Sequence, residues 1–362
     1  MKSNLELITN QFNIDGAYIN AEPIVAGHIN DTFLVNTNGD KQQKYILQRI
    51  NHTIFKNVPE LQNNIVRVTN HIKEKLFINN VLEIDRKVIT LIPAKDKNWF
   101  INDTDGNYWR MMLFIEGSHS YNQLSSPKLA YDAGLAFGEF DAMLADLPGE
   151  PLFETIKDFH NMEFRLQQLK DAIQNNVANR LDLVIDVIKE IEKRTEEMTL
   201  INRLGNEGKL PKRIIHCDTK INNVLFDAEE NILCIIDLDT VMSGYITSDF
   251  GDAIRTGANT GAEDDINLNN VSMSIELFEA YTKGFLKGTA SFITQQEKDC
   301  LALSAKMFAY MQAVRFLTDY LNDDIYYKTN HKEHNIQRTK AQLKLLYSME
   351  AQYEKMCKII KG

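Results

Sequence analysis

The sequence predicts an α+β fold, with a small β-sheet N-lobe followed by a larger, mainly helical C-lobe. Strand-like alternation and turn signals dominate residues 20–116, and apolar residues at helical spacing dominate the chain from residue 117 onward. The chain has 362 residues, of which 44% are hydrophobic, so it is long enough for two packed cores. We therefore predict two domains, 1–116 and 117–362, with a short hinge near FIEGS.

The N-terminal domain is predicted to be a sheet that carries one helix. Strands are indicated by PIVAGHINDTFLVNT and KYILQRIN, which flank an Asn-Gly turn signal in NTNGDKQ. The segment VPELQNNIVRVTNHIKEKLF has helical spacing. The pattern returns to strands in KVITLIP and in NWFINDTDGNYWRMMLFIEG, which contains an Asp-Gly turn.

The C-terminal domain is predicted to be helical except around residue 220. A Ser-Pro start signal opens the helix SPKLAYDAGLAFGEFDAMLADL, residues 160–203 predict two more helices, and the last hundred residues continue in this way. Between them, RIIHCDTKINNVLFDAEENILCIIDLDTVM has short apolar runs separated by turn residues, which is typical of small buried strands around a polar loop.

Charge and composition exclude several classes of function. Forty basic against fifty acidic residues give a net charge of -10, which disfavours a nucleic-acid partner. The N-terminus has no signal-like apolar segment and no stretch is apolar enough for a membrane span, so we expect a cytoplasmic protein without a membrane partner. The four cysteines are far apart and lack paired metal-ligand spacing, so we expect reduced thiols and no structural metal.

The loop HCDTKINN carries the residues best suited to chemistry. Asp218 lies five positions before Asn223, and Asp237 ends the apolar run ILCIID fourteen residues later. Phosphoryl transfer needs a carboxylate that orients the attacking hydroxyl and oxygen ligands that hold Mg²⁺ against the nucleotide phosphates. The spacing therefore predicts that Asp218 is the catalytic carboxylate and that Asn223 and Asp237 are the metal ligands, against the alternative of an ordinary polar turn.

Three neighbouring residues were assigned with alternatives. Asp249 belongs to an Asp-Phe-Gly triplet, which in protein kinases marks the metal ligand, but it follows Asp218 by 31 positions and comes after Asp237, so we interpret the triplet as coincidental. Lys220 either neutralises charge on the transferred phosphate or is a solvated loop lysine. Asp239 is either a further carboxylate of the metal site or a turn residue.

The loop HCDTKINN followed by IIDLDTV resembles the aminoglycoside phosphotransferase and choline kinase superfamily, small-molecule kinases with a protein-kinase-like two-lobe fold. Cys217 stands where those loops usually have glycine. GHINDTFLV resembles the family's phosphate-covering hairpin, WRMMLFIEG its hinge strand and AGLAFGEFDAMLADLP the helix after the hinge, so the resemblance covers most of the chain.

Within that superfamily the chain is most similar to the N-acetylhexosamine 1-kinases, on GHINDTFLV, KYILQRIN, DTKINNVLFD, IDLDTVMSG, SDFGDAIRTGAN and RFLTDYLNDDIYYK. The resemblance implies transfer of the ATP γ-phosphate, with Mg²⁺, to the anomeric hydroxyl of N-acetylglucosamine or N-acetylgalactosamine. The nucleotide residues that it implies are Asn30, Thr32, Gln48, Arg49, Phe114 and Ile115. The acceptor residues that it implies are His28, Asp249, Asp252, Arg315 and Tyr326.

Several alternatives remain open from the sequence. KYILQRIN offers Gln48 or Arg49 where a strand lysine is expected, with Glu60 as a possible partner for a cation there. Arg315 with Asp319 is also an ordinary i,i+4 helix pair. The segment DFHNMEFR either adds acceptor contacts or begins a helix. The rival functions are a kinase of the same fold for another acceptor and a nucleotide-binding module without transferase activity, and the nucleotide is either ATP or GTP.

Overall fold

The computed structural model describes residues 2–24, 29–40 and 42–362, so the predicted acceptor residue His28 lies outside the described residues. The described chain divides into two compact units. Unit 1 comprises Met1–Ser120, Asp146–Lys157 and Asn223–Met242. Unit 2 comprises Tyr121–Ala145, Asp158–Asn222 and Ser243–Gly362. The predicted boundary at residue 116 lies near the end of the first segment of unit 1, but two later segments also belong to that unit.

Unit 1 is built on an antiparallel sheet in the order β1-β2-β3-β6-β4, with β5 paired to β6. The short hairpin β8-β9 also belongs to this unit. The strands are β1 (Tyr18–Ile24), β2 (Asp31–Thr37), β3 (Lys44–Ile50), β4 (Leu91–Ile92), β5 (Ile101–Asn102), β6 (Tyr108–Leu113), β8 (Val224–Phe226) and β9 (Ile232–Ile235). The helices are α1 (Lys2–Thr9), α2 (Val58–Ile78) and α3 (Ile84–Lys87).

One face of this sheet is the core of unit 1, and the other face is half-buried and polar at one end. Val35, Tyr45, Leu47 and Met111 alternate towards the core, where they pack with Ile8 of α1. The opposite face carries a row across three strands, because Thr32 is in register with Gln48 and Gln48 with Arg110. This row becomes part of the candidate site below.

Unit 2 is mainly helical, as predicted. Its helices are α4 (Pro127–Leu144), α5 (Met162–Asn175), α6 (Ile185–Glu192), α7 (Thr195–Met198), α8 (Leu200–Asn206), α9 (Ile246–Gly257), α10 (Ile275–Gly288), α11 (Gln295–Leu321), α12 (His334–Ala351) and α13 (Tyr353–Lys361). A small sheet pairs β7 (Arg213–Ile215) with β10 (Met242–Gly244). Residues 160–203, predicted as two helices, form several shorter ones, because turns at Asn176 and Lys193 interrupt the pattern.

Four glycines let α4 and α10 approach closely. A Cβ atom on Gly134 would lie 2.2 Å from the backbone oxygen of Tyr281, and one on Gly284 would lie 2.0 Å from that of Tyr131. Gly138 and Gly288 leave similarly little room. The two helices therefore pack backbone against backbone, which fixes the position of the buried face of α4 beneath the catalytic loop.

The predicted helix starts are confirmed where capping residues are present. Ser126 accepts a hydrogen bond from Leu129 N at the start of α4, and Asn57 accepts one from Glu60 N at the start of α2. Glu60 is thus a first-turn residue of α2. No helix within the described ranges is long and apolar enough to cross a membrane.

Candidate active site

The catalytic loop follows β7 in unit 2, and His216 supports it from below. The imidazole of His216 is fully buried and packs edge-on against Phe137 and Phe140 of α4, with ring centroids 5.5 and 5.6 Å apart. Its Nδ1 accepts a hydrogen bond from the backbone N–H of Asp218 at 3.2 Å. His216 is therefore a structural residue that orients the backbone at the predicted catalytic position.

Asp249 anchors the same loop from α9. Its carboxylate is fully buried and accepts hydrogen bonds from the backbone N–H groups of His216 at 2.7 Å and Cys217 at 2.8 Å. Its backbone oxygen also accepts a hydrogen bond from Thr219 Oγ1 at 2.6 Å. The prediction that Asp249 binds the acceptor is therefore corrected, because both carboxylate oxygens are engaged in holding the loop.

The backbone conformation at Cys217 explains why a glycine would suit this position of the loop. Its φ is +65°, in the left-handed region that residues with a Cβ atom adopt at a cost. Burial, reinforced by the charges of Asp249 and Asp141, raises the pKa of the Cys217 thiol. The thiol is therefore protonated and does not act as a nucleophile.

A second buried carboxyl group, on Asp141 of α4, meets Asp249 within hydrogen-bonding reach. Within the described residues neither oxygen of Asp141 has a hydrogen-bond donor, so the contact requires one proton between the two groups. Burial and the charge of Asp249 raise the pKa of Asp141 well above its usual range. Burial raises the pKa of Asp249 as well, to about 7, while two backbone N–H groups act in the opposite direction. Those two donors and the N-terminal turn of α9 favour the ionised form of Asp249 over that of Asp141, so the proton belongs on Asp141.

Asp218 and Lys220 form an ion pair at the accessible surface of the loop. Lys220 Nζ lies 2.8 Å from Asp218 Oδ1, and the side chain of Asp218 is 24% exposed. Burial opposes the charge of Lys220, but the nearby carboxylates of Asp218 and Asp252 outweigh it and raise the pKa of Lys220. The loop therefore presents a carboxylate and a permanent cation together.

The two predicted metal ligands, both in unit 1, are drawn together by the backbone. The N–H of Ile236, the residue before Asp237, donates to the backbone oxygen of Asn223 at 2.9 Å. Asp237 has a φ of +60° and precedes the 3₁₀ turn Leu238–Thr240, which redirects the chain at this carboxylate. An amide oxygen and a carboxylate suit Mg²⁺, which usually completes its coordination with phosphate and water oxygens. The side chains of Asn223 and Asp237 therefore fit a magnesium ion.

Among the described residues, no group of three or more His, Cys, Asp or Glu side chains could hold a metal by itself.

Gln48 and Arg49, the two residues considered for the role of the strand lysine, lie on opposite faces of the unit 1 sheet. Arg49 is half-exposed and its Nε donates to Asp31 at 2.7 Å, so its guanidinium forms a surface ion pair. Gln48 lies on the half-buried face, where its Nε2 donates to Thr32 Oγ1 at 3.0 Å and its Oε1 accepts from Arg110. The prediction that Arg49 binds the nucleotide is corrected, because its side chain points away from this row.

The sequence analysis did not identify Arg110. Its guanidinium is buried, donates to Gln48 Oε1 at 2.9 and 2.8 Å and pairs with the carboxylate of Asp239. Asn30 donates to the other oxygen of Asp239 at 2.6 Å. Asp239, for which a metal site and a simple turn were both considered, is thus held by protein donors. The sequence signal that could have identified Arg110 was the single arginine in the strand YWRMML.

The predicted hinge residues follow β6. The N–H of Phe114 donates to the backbone oxygen of Lys44 at 3.0 Å and continues the sheet. Ile115 is buried and its backbone oxygen accepts from Ser118 Oγ at 2.6 Å. Lys44 also pairs with Glu116 at 3.2 Å, so this segment is tied to β3.

Besides Asp249, three of the predicted acceptor residues lie in unit 2, namely Asp252, Arg315 and Tyr326. Asp252 is buried, and although burial disfavours its charge, Arg255 lowers the pKa of this carboxyl and donates to it at 2.8 and 3.0 Å. The guanidinium carbon of Arg315 lies 5.9 Å from the ring centroid of Tyr326 and 5.6 Å from that of Tyr327. Asp319 accepts instead from the N–H groups of these two tyrosines, so the ordinary helix pair of Arg315 with Asp319 is not formed.

Arg315 also lies 5.6 Å from the ring of Phe159, next to His160, which the sequence left between two interpretations. The ring of His160 is half-buried, stacks on Phe159 with the ring centroids 4.5 Å apart, and its Nδ1 has no hydrogen-bond partner in the described chain. Burial lowers the pKa of His160 to about 4, although the charge of Asp252 opposes this shift. Four charged side chains are close enough to act on it, namely Asp252, Arg315, Arg165 and Asp218.

The model of the Phosphotransferase enzyme family matches residues 20–273, which is more than half of the chain. The chain belongs to this family. Its fold is similar to that of an aminoglycoside phosphotransferase from Alicyclobacillus acidocaldarius, with 12% identity, 96% of each chain covered and a TM-score of 0.62. A spectinomycin phosphotransferase in complex with ADP and spectinomycin gives 13% identity, 98% and 99% coverage and a TM-score of 0.57. An ethanolamine kinase of Plasmodium vivax gives 14% identity, with 90% of this chain and 82% of that chain covered and a TM-score of 0.56. The small-sheet N-lobe and mainly helical C-lobe of this phosphotransferase family are therefore confirmed.

Proposed function

We propose that this phosphotransferase moves the γ-phosphate of ATP to the anomeric C1 hydroxyl of an N-acetylhexosamine, N-acetylglucosamine or N-acetylgalactosamine, giving the sugar 1-phosphate. The observation that carries the proposal is that Arg165 and Arg315 of unit 2 both lie against Phe159, which stacks on His160: Arg165 donates to the backbone oxygen of Phe159 at 2.9 Å, and the guanidinium of Arg315 lies 5.6 Å from its ring. The charges of Asp218 and Asp252 act on the same His160. A catalytic carboxylate thus belongs to the same cluster as polar and aromatic groups that suit a small polyhydroxylated acceptor.

Asp218 is proposed to accept a hydrogen bond from the attacking hydroxyl and to take its proton as the phosphoryl group arrives. Its backbone is fixed by His216, and the residues before it are fixed by Asp249. This support holds the carboxylate in place while leaving it partly exposed. Lys220, 2.8 Å away, is proposed to offset negative charge on the transferred phosphate.

Asn223 and Asp237 are proposed to hold Mg²⁺, which supplies positive charge against the nucleotide phosphates. On the same unit, Asn30, Thr32 and Gln48 are proposed to line the nucleotide side of the sheet. Phe114 and Ile115 are proposed to meet the base, for which ATP and GTP remain alternatives. Support for these roles comes from the half-buried polar row on β2, β3 and β6.

The charges near His160 favour an acceptor that offers oxygen lone pairs. The hydrogen bonds of Arg315 run to Gln312 Oε1, and those of Arg165 run to Gln168 Oε1 and the backbone oxygen of Phe159. Neither guanidinium is paired with a carboxylate of the described chain. Burial and the charge of Arg315 lower the pKa of Arg165 to about 10, so Arg165 remains charged at neutral pH.

Two such guanidinium groups repel a cationic acceptor and attract carbonyl or hydroxyl oxygens. An acetamido carbonyl and ring hydroxyls meet this requirement, with Arg315 and Tyr326 as the proposed contacts. The second candidate function is transfer to another small acceptor, as in the spectinomycin phosphotransferase and the ethanolamine kinase that share the fold. The arginine pair argues against those acceptors that are cationic.

The first experiment measures Mg²⁺-dependent ADP release from ATP with a panel of acceptors: N-acetylglucosamine, N-acetylgalactosamine, glucose, choline, ethanolamine and an aminoglycoside. Turnover on the N-acetylhexosamines with the product phosphorylated at C1 is expected. Activity on a cationic acceptor alone would keep phosphoryl transfer but contradict the proposed substrate. If no acceptor of the panel gave Mg²⁺-dependent release of ADP, a nucleotide-binding module without transferase activity would be favoured.

The second experiment tests the catalytic carboxylate. Asp218→Asn should fold and bind nucleotide normally but lose roughly 10²–10⁴-fold in kcat, the usual range for a positioned proton acceptor. Asp171→Asn, an exposed carboxylate of α5 in the same unit, is the matched control and should retain wild-type turnover. Unchanged kcat in Asp218→Asn would remove this residue from the mechanism.

A further inference from the structure

Five side chains of unit 1 are connected in series by hydrogen bonds, and we call them the Arg110 network: Asn30, Thr32, Gln48, Arg110 and Asp239. Arg110 bonds to Gln48 and to Asp239, Gln48 bonds to Thr32, and Asp239 accepts from Asn30. Asn30 lies two residues before Thr32, so the backbone joins the two ends of this series. The network joins the end of the first hairpin, two sheet strands and the turn after Asp237.

The centre of this network is an unusually buried ion pair. The side chains of Arg110 and Asp239 are each 3% exposed. Removing two charges from water is costly, and such a pair adds little stability compared with well-packed apolar residues. A role beyond stability is therefore the better account of a buried pair at this position. Buried polar networks in which every member is satisfied fix one arrangement of the chain.

The arrangement that this pair fixes is the turn that carries a metal ligand. Asp239 lies two residues after Asp237, inside the 3₁₀ turn Leu238–Thr240. One carboxylate oxygen of Asp239 accepts from Arg110 and the other from Asn30. Asp239 is thus clamped from both sides, and the direction in which the chain leaves Asp237 is set by that clamp.

We propose that Arg110 is a positioning residue that orients Asp237 for the metal–nucleotide complex by holding Asp239. This inference rests on the proposed function. It goes beyond it in assigning to β6 an ordering cation, where the sequence suggested a missing strand lysine on β3. Arg110 is not assigned a contact with the nucleotide, because its guanidinium is buried and all three of its nitrogens already donate, to Gln48 or to Asp239.

The network also accounts for glutamine at position 48. Gln48 stands directly opposite Arg110 in the strand register, so a lysine there would place two like charges side by side. The glutamine carbonyl instead accepts two N–H bonds from Arg110, and its amide donates to Thr32. A lysine at position 48 is therefore expected to damage the site.

The test is binding of a non-hydrolysable ATP analogue, measured by calorimetry over a range of Mg²⁺ concentrations. Arg110→Met alone leaves Asp239 as an unpaired buried charge and is expected to destabilise the fold. The double variant Arg110→Met/Asp239→Leu removes both charges and should stay folded. It is expected to need about 10–100-fold more Mg²⁺ for half-maximal binding of the analogue, the usual effect of losing a residue that orients a metal ligand.

Arg67→Met is the matched control, because Arg67 is also in unit 1 and donates only to the backbone oxygens of Pro148 and Glu150. It should show the Mg²⁺ dependence of the wild type. A folded double variant with wild-type Mg²⁺ dependence would overturn the inference and leave the pair a purely structural feature. If the wild type itself bound the analogue without any Mg²⁺ dependence, the proposed function and this inference would fail together.

Gln48→Lys gives an independent outcome. The Arg110 network predicts that this variant binds the analogue more weakly than the wild type and also needs more Mg²⁺. If the chain had merely lost a strand lysine, the variant would bind more tightly. Tighter binding would therefore contradict the role assigned to Arg110.

Discussion

The carboxyl pair beneath the catalytic loop gives a prediction whose magnitude can be worked from the structure. Asp141 on α4 shares a proton with Asp249 and is fully buried, so its pKa is far above that of an unfolded chain. The folded protein therefore keeps a proton that the unfolded protein releases above about pH 4. Asp141→Asn replaces this carboxyl with an amide that donates to Asp249 at every pH.

The sign of the effect follows from linkage. A group whose folded pKa is raised contributes stability that is fully present below its unfolded pKa and is lost as the pH rises through the folded pKa. With one proton more on the folded state, the free energy of unfolding falls by about 1.4 kcal/mol per pH unit. The asparagine variant lacks this slope. Between about pH 5 and pH 7, the difference between variant and wild type should grow by about 2.7 kcal/mol in favour of the variant, as long as the folded pKa lies above this window.

Urea unfolding of both proteins at pH 5, 6 and 7 measures this difference, and titrating groups that do not contact Asp141 cancel in the comparison. Arg213 is a cation whose charge acts on Asp141, but it is already paired with Glu297 at 2.6 Å. Parallel pH profiles for the two proteins would show that Asp141 is ionised in the folded state and would refute the shared proton. Turnover should be retained in Asp141→Asn, because the bonds from Asp249 to the loop remain.

Three further substitutions test separate parts of the structure. Cys217→Gly should raise the free energy of unfolding by about 1 kcal/mol, because glycine adopts a φ of +65° without strain; an unchanged urea midpoint would argue against strain there. Gly134→Ala should lower it by about 1–3 kcal/mol, because its Cβ would collide with Tyr281; a stable variant would mean that α4 and α10 separate easily. Arg315→Leu should raise KM for the acceptor at least about tenfold while leaving KM for ATP unchanged, and equal changes in both constants would contradict an acceptor contact.

Short-range sequence signals predicted a large part of the fold. The Ser-Pro start of α4, the Asn-Gly turn between β2 and β3 and the helix α2 depend on neighbouring residues alone, and they are found where predicted. The spacing of Asp218, Asn223 and Asp237 could also be read along the chain. Their exact division between the two units could not, because it depends on how the segment after residue 222 packs.

The residues that were missed or misassigned owe their roles to contacts over long sequence distances. Asp249 appeared to be a polar residue near the site, but its carboxylate is buried by the packing of α9 beneath the loop 32 residues earlier. Asp141, which the sequence analysis did not single out, is one of three acidic residues of α4. Its position among Phe137, Phe140 and Leu144 on the buried side of α4 was a usable signal, since a carboxyl group there needs a partner.

The strand lysine shows most clearly why alternation within one strand was insufficient. Alternation separated Gln48 from Arg49 but could not tell which face was the nucleotide face, and it placed both candidates on β3. The cation of the polar face comes instead from β6, which is 62 residues away from Gln48 in sequence and adjacent in the sheet. A cation that reaches the site from a neighbouring strand leaves position 48 free for a neutral residue, and the like-charge repulsion from Arg110 then disfavours lysine there. The glutamine is thus a consequence of where the arginine lies, and only the strand order β3-β6 makes that connection visible.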